Sequence, residues 1–377
     1  MTVLSASMVS IPRRQLLVAA ASAIGLPVLG SCSRAPDRLA FVGGLTGRIA
    51  DVGIGGRDGT QLALERLAEA GGDRIELVAY DDQQDGELAR SLVDRIRQDG
   101  HEVVVGPMTS AMAMAMVPRA DAVGLTLISP TVTTSELEGR DDQFLRVVSS
   151  LSEYAARSAD QHARRTGWKR FAIVRDDSNR TYTQDWTRHF KLALAKHGAT
   201  VASEQVFTYG PGFSFEPLAD RALADAPDAV MIVASAMDTA RIAQALRQRT
   251  AVLPLLASEW AGTAQLITLG GRAVEGLFVT QFLDRESRAP AYLAFVGAFR
   301  ARFGRQPGFA ETAAFDAASV ALRSLRERRR GEPLKAAVLR LRRFEGLQQT
   351  LEFTAVGDAR RPVFITQVRE GRFVAVH

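Results

Sequence analysis

Two short stretches place hydroxyl side chains where a small molecule could be held. In "VVVGPMTS" (103–110) an apolar run meets Gly106 and Pro107 and then Thr109 and Ser110. In "LTLISPTVTTSEL" (125–137) a second apolar run meets Pro130 and then Thr131, Thr133 and Thr134. Hydroxyls donate and accept hydrogen bonds without carrying charge, and a helix start beside them adds backbone N–H groups that favour an anion. Neither loop contains a lysine or arginine to balance a second negative charge, so the pattern suits a carboxylate better than a phosphate. Capping of helix starts is the other use for the same residues.

These hydroxyls need elements to position them. "RLAFVGG" (38–44), "RIELVAY" (74–80), "EVVVG" (102–106) and "GLTLIS" (124–129) are short, branched and bounded by Gly, Pro or Asp, which predicts strands. Between them lie "GTQLALERLAEAG", "GELARSLVDRIRQDG" and "SAMAMAMVPRADAVG", read as helices; Leu88, Leu92, Val93 and Ile96 form one apolar stripe. The rhythm restarts with "RFAIVRD" (170–176), "TVASEQVF" (200–207), "DAVMIVA" (228–234), "VLPLLAS" (252–258) and "EGLFVTQF" (275–282), again with helical segments between. Helices fill 290–344, and the alternating apolar residues near the end predict antiparallel strands. Strand and helix in alternation imply right-handed crossovers and parallel sheets covered on both faces, and therefore two doubly wound α/β units. In such sheets a ligand settles beyond the carboxyl ends of the strands, where Ser110, Thr131 and Thr133 are expected.

Other chemistries fit less well. The glycines of "GGLTGRIADVGIGGRDG" (43–59) are spaced G-x-G-x-x-x-G at Gly53, Gly55 and Gly59, and the loop to the next helix is too long for a dinucleotide turn. His101, His162, His189, His197 and His377 form no i,i+4 pair, and no G-x-S-x-G elbow occurs, so neither a helical zinc site nor a hydrolase nucleophile is indicated. Asp81, Asp82, Asp176 and Asp177 follow strands, where carboxylates build turns and caps. Met108, Met112 and Met116 recur at helical spacing and read as core filler on one helix. The reading implies no enzyme activity, cofactor or metal.

The chain has 377 residues, 46% of them hydrophobic, and a net charge of +5 carried almost wholly by arginine, since its lysines are Lys169, Lys191, Lys196 and Lys335. Basic runs at 326–333 and 339–346 are broken by glutamates and lack interleaved stacking aromatics, so they read as solvated helix faces rather than a nucleic-acid surface.

At the N-terminus Arg13 and Arg14 precede "LLVAAASAIGLPVLG" and then Cys32. A charged start, an apolar run of about fifteen residues and a small-residue end describe an export signal, too short for the roughly twenty residues that span a bilayer. "RRQLL" is similar to a twin-arginine motif, and "LGSC" (29–32) resembles a bacterial lipobox, with Cys32 as the lipidated residue after removal of 1–31. The expected location is the periplasm or cell surface, tethered to a membrane by lipid.

From about residue 38 onward the chain resembles the substrate-binding proteins of branched-chain amino-acid ABC transporters, the leucine/isoleucine/valine-binding type of periplasmic binding fold. The likeness rests on "LTGRIADVG", "LVAYDD", "VVVGPMTS", "LISPTVTTSEL", "FLRVV" (144–148), "SEWAGT" with "GGRAVEGLFV" (258–279), "FRARFGRQP" and "AAFDAASVAL", in that order. It implies two lobes joined by three crossing segments, with 38–147 plus 282–345 in the first and 148–281 plus 346–377 in the second. It further implies that Ser110, Thr131 and Thr133 hold the α-carboxylate and part of the ammonium of an amino acid, that Glu259 pairs with the ammonium, and that Tyr182 closes over it. Where the leucine-binding relative has aromatic residues this chain has Val52 and Ala236, which implies a roomier pocket for a larger or aromatic acid, with Trp260 as an apolar wall. The partners implied are a small-molecule ligand and a membrane permease, with the protein a monomer. A ligand-sensing or cell-envelope regulatory lipoprotein would use the same cleft.

Overall fold

The computed structural model describes residues 38–376; the expected export signal, Cys32 and His377 lie outside the described residues. Strands β1 (Arg38–Gly43), β2 (Glu76–Asp81), β3 (Val103–Val105), β4 (Thr126–Ser129) and β5 (Phe144–Arg146) form a five-stranded parallel sheet in the order β2-β1-β3-β4-β5. They are connected through helices α1 (Ala50–Glu69), α2 (Gly86–Gln98) and α3 (Ser110–Val123). Helix α2 starts where the Asp85 carboxylate accepts the Leu88 N–H at 2.9 Å, and it buries Ala89, Val93 and Ile96. Gly124, at φ 66°, ends α3 in the left-handed conformation that glycine adopts without strain.

The second sheet is built from later elements: α4 (Leu151–Ala159), β6 (Arg170–Asp176), α5 (Arg180–Ala195), β7 (Thr200–Phe207), α6 (Glu216–Leu223), β8 (Ala229–Val233), α7 (Ala236–Arg247), β9 (Leu255–Ala257), α8 (Ala264–Gly270) and β10 (Phe278–Gln281). The chain then returns to the first sheet's surroundings with α9 (Pro290–Phe303), α10 (Phe309–Glu327), α11 (Leu334–Leu341) and a hairpin of β11 (Arg343–Glu345) and β12 (Thr350–Glu352). Finally β13 (Phe364–Arg369) and β14 (Arg372–Ala375) add antiparallel to β10, giving the order β14-β13-β10-β9-β8-β6-β7. The molecule is thus two α/β lobes, each on a mainly parallel sheet. Strand β8 shows why both faces must be covered: Met231 and Val233 enter one apolar cluster, whereas Val230 and Ile232 enter another.

The glycine-rich stretch is helical, not a loop: α1 begins at Ala50, nine residues before the expected helix start at Gly59. Its glycines are set by close approach. A Cβ on Gly53 would stand 1.9 Å from the Gly44 carbonyl oxygen, and one on Gly59 would stand 2.2 Å from that of Glu311 on α10. Gly56 leaves room for Met108, whose methyl would lie 2.5 Å from an added Cβ. Met108 therefore precedes α3 rather than sharing a stripe with Met112 and Met116, although all three are buried. Asp81, Asp82 and Asp176 build turns, accepting N–H groups from Leu45 and Gln83, from Gln84, and from Ser178 respectively.

One expected boundary needs moving. A division at 345/346 would cut the β11–β12 hairpin, in which Arg343 faces Glu352. The stretch beyond stays with the first lobe: Leu347 N–H donates to Asp316 of α10 at 2.9 Å, Arg146 of β5 pairs with Asp358 at 2.7 Å, and Arg361 pairs with the buried Asp316 at 2.6 Å. We propose that the third passage between lobes falls at about 360–363, the stretch between these anchors and β13.

The packing of α1 predicts opposite outcomes for two helical glycines. Gly59→Ala should lower stability by about 1–3 kcal/mol, because the new methyl meets backbone. Gly297→Ala, on the exposed face of α9 with nothing near the added Cβ, should raise it by up to about 1 kcal/mol. Urea unfolding of both variants checks the pair.

Candidate functional site

The first lobe contributes two loops that are tied together before they meet anything else. Ser129, at the end of β4, donates its hydroxyl to the Pro107 carbonyl at 2.8 Å and accepts the Val132 N–H at 3.1 Å. Thr131 donates to the Met108 carbonyl at 2.6 Å, so its proton is used inside the lobe. Ser110 is the first residue of α3 and is buried. Its neighbour Ala111 reaches the second lobe, donating its N–H to the Asn179 side-chain oxygen at 3.1 Å. Thr133 reaches it too, donating its hydroxyl to Glu259 at 3.3 Å.

Glu259 opens a short helical turn just after β9 and is 6% exposed. Its second oxygen accepts the indole N–H of Trp186 at 3.0 Å. Trp186 lies one helical turn after Tyr182 on α5, so the two side chains leave the helix on the same side. The Tyr182 ring stands edge-on to Trp260 at 5.7 Å between centroids, and Val52 of α1 belongs to the same apolar cluster as both. Ala236, the first residue of α7, does not join them: it packs into the cluster with Val174, Ile232 and Ala240. The strand alternation places that cluster on the other face of the second sheet.

Burial pushes the Glu259 carboxyl up to about 7, partly offset by the donors around it, Trp186 and Thr133 among them. Tyr182 is held well above its ordinary value by its own burial and then by the nearby Glu259. Among the described residues no lysine or arginine bonds to the Glu259 carboxyl. The arrangement is a buried carboxyl among neutral donors, able to pair with a cation or to carry a proton itself. Thr133 and Glu259, expected to hold opposite ends of one ligand, touch each other directly. A buried carboxyl takes its hydrogen bonds from whatever donors the two lobes bring to it.

Sequence reasoning missed three further groups at this junction. Arg48 pairs with Asp238 and lies 3.7 Å from Asp176. The Thr263 hydroxyl donates to Asp51 at 2.9 Å, and burial raises the Asp51 carboxyl. Trp186 was the most readable of them, since its spacing from Tyr182 puts both on one helix face.

A family model described as periplasmic binding protein matches residues 37–372. A leucine-, isoleucine-, valine-, threonine- and alanine-binding protein of Pseudomonas aeruginosa is 24% identical over 89% of this chain and 91% of its own length. Among solved structures, a leucine-binding protein from Thermotoga maritima superposes with a TM-score of 0.82 at 23% identity, covering 90% of this chain and 98% of the other. A solute-binding protein of an ABC transporter from R. palustris, in complex with benzoate, superposes with a TM-score of 0.81 at 18% identity, covering 90% and 95%. A family match of that extent, on a chain built as two parallel-sheet lobes, shows that this protein belongs to the periplasmic binding protein family.

Proposed function

We propose that the protein captures an amino acid or a related small carboxylate between its lobes and delivers it to an ABC permease. The carrying observation is the meeting of Thr133 and Glu259 at 3.3 Å, which puts a neutral donor of one lobe against a buried acid of the other. A zwitterion taken out of water needs both charges paired, and hydroxyls opposite one carboxyl meet that need. In this reading Ser110 and Thr133 receive the carboxylate and Glu259 the ammonium. Thr131 helps by holding the Met108 carbonyl, and its oxygen still accepts. The ligand touches both lobes, so it stabilises their closed arrangement, which a permease can tell from an open one. Capture involves no chemical step.

The relatives bracket the ligand class, with aliphatic amino acids on one side and an aromatic acid on the other. Val52 supports the bulkier end, since its side chain is smaller than the aromatic residue the leucine-binding relative has there. Ala236 adds less to this argument than expected, because it packs away from those residues. Lipid attachment at Cys32, export by the N-terminal segment and action as a monomer belong to the same proposal.

A thermal-shift screen against aliphatic amino acids, aromatic amino acids and aromatic acids tests it. A compound present at about a hundred times its Kd should stabilise the protein by roughly 2.7 kcal/mol. For an amino acid the shift should vanish in Glu259→Ala; for a carboxylate without an ammonium it should survive. Absence of a shift with every carboxylate tried would overturn the reading.

The raised Glu259 carboxyl makes a second prediction. From pH 4.5 to about 7 the folded protein keeps a proton that the unfolded chain releases, so this group's favourable contribution is full at low pH and is lost as pH rises. The loss amounts to on the order of 3 kcal/mol. Glu259→Gln should therefore be more stable than the parent at pH 8, by up to about that amount, and should lose the advantage near pH 4. Urea unfolding at the two pH values measures it.

A further inference from the structure

Arg48 leaves the loop between β1 and α1 and enters the second lobe. Its guanidinium pairs with Asp238 in the first turn of α7, stands 3.7 Å from Asp176 at the end of β6, and covers the Tyr209 ring at 4.8 Å from the centroid. Both aspartates are fully buried, whereas the Arg48 side chain is 23% exposed. The notch that receives it is built by the second lobe itself. Ser235 donates to Asp238 at 2.9 Å and Ser178 donates to Asp176 at 2.6 Å. Tyr209 is also held by Arg241, whose guanidinium donates to the Tyr209 hydroxyl at 3.2 Å, and it packs on Phe213 and Phe215. Among the described residues one oxygen of Asp238 has no hydrogen-bond partner although it is buried. Two buried carboxylates thus share one cation, and that cation belongs to the opposite lobe.

We propose that Arg48 is a tethered latch: the Asp176–Asp238 notch binds this first-lobe guanidinium as it would a free cation and so holds the lobes together in a salt-dependent way. This rests on the two-lobe capture reading and adds a positioning residue to it. The planar guanidinium suits the task, because it can pair with a carboxylate and stack on an aromatic ring at once, which a lysine ammonium does less well. Opening exchanges the ion pair for water around three groups, so the equilibrium should respond to ionic strength. Arg48 stands four residues before Val52, so the latch and the cleft wall move as one piece of the first lobe.

A reporter of closure is built into the chain. The Ala111 N–H lies in the first turn of α3, has no partner within its own helix, and donates across the junction to Asn179. Its hydrogen exchange therefore reads the contact between lobes at a pair that Arg48 does not itself bond, on the turn that also carries Asp176 and Ser178 of the notch. In Arg48→Ala the segment covering Ala111 should exchange at least tenfold faster, while strand β8 keeps its protection; Arg48→Lys should fall between. Unchanged exchange at Ala111 in Arg48→Ala overturns the latch. If β8 also loses protection in the variant, the parent protein decides: raising salt from about 0.05 M to about 1 M should speed exchange at Ala111 and not in β8, and no acceleration overturns the proposal. A failed latch leaves the ligand screen unaffected, whereas a failed capture reading appears in that screen alone.

Discussion

A buried acid must be hydrogen-bonded, and Glu259 draws its bonds from both halves of the molecule. Thr133 comes from the loop after β4, and Trp186 from the helix after β6. Neither lobe alone supplies the environment that keeps this carboxyl out of water. Thr133 and Glu259 both stand beyond the carboxyl ends of parallel strands, where open α/β sheets place their binding sites. Burial raises the proton affinity of Glu259, and the protein tolerates that strain on its stability at a position where a charged guest could relieve it.

Positioning depends on how tightly the first lobe is assembled. The glycines of α1 let α10 and the β1–α1 loop approach at backbone distance, on the helix that carries Asp51 and Val52. The Ser129 bridge to Pro107 fixes the two hydroxyl-bearing loops relative to each other. Groups that must reach the second lobe therefore stand on elements that are themselves immobilised by packing, a precondition for any binding site held to sub-ångström tolerance.

Much of the architecture was readable because burial leaves a periodic trace. Strands such as "FAIV" and "AVMIV" are continuous apolar runs, as parallel strands covered on both faces have to be, and α2 announces itself through the stripe ending at Ile96. The start of α1 was hidden because glycine has low helix propensity, and only the neighbouring helix explains its use there. The position of Ala236 was hidden for another reason: a small apolar residue at a helix start carries no sign of which face of the sheet it will join. Long-range polar contacts such as Arg48 with Asp238, 190 residues apart, leave no local pattern at all. The 345/346 boundary failed because a three-residue strand pair is too short to show alternation.

The pairing of β13 with β10 joins Thr280 to Ile365, after an excursion of some eighty residues through the other lobe. Loop closure over such a distance is entropically slow, and contacts of this kind lower folding rates. The antiparallel edge of the second sheet therefore closes a loop that holds α9, α10, α11 and the hairpin. Neither half can be excised as one continuous gene fragment, because the backbone is woven through both.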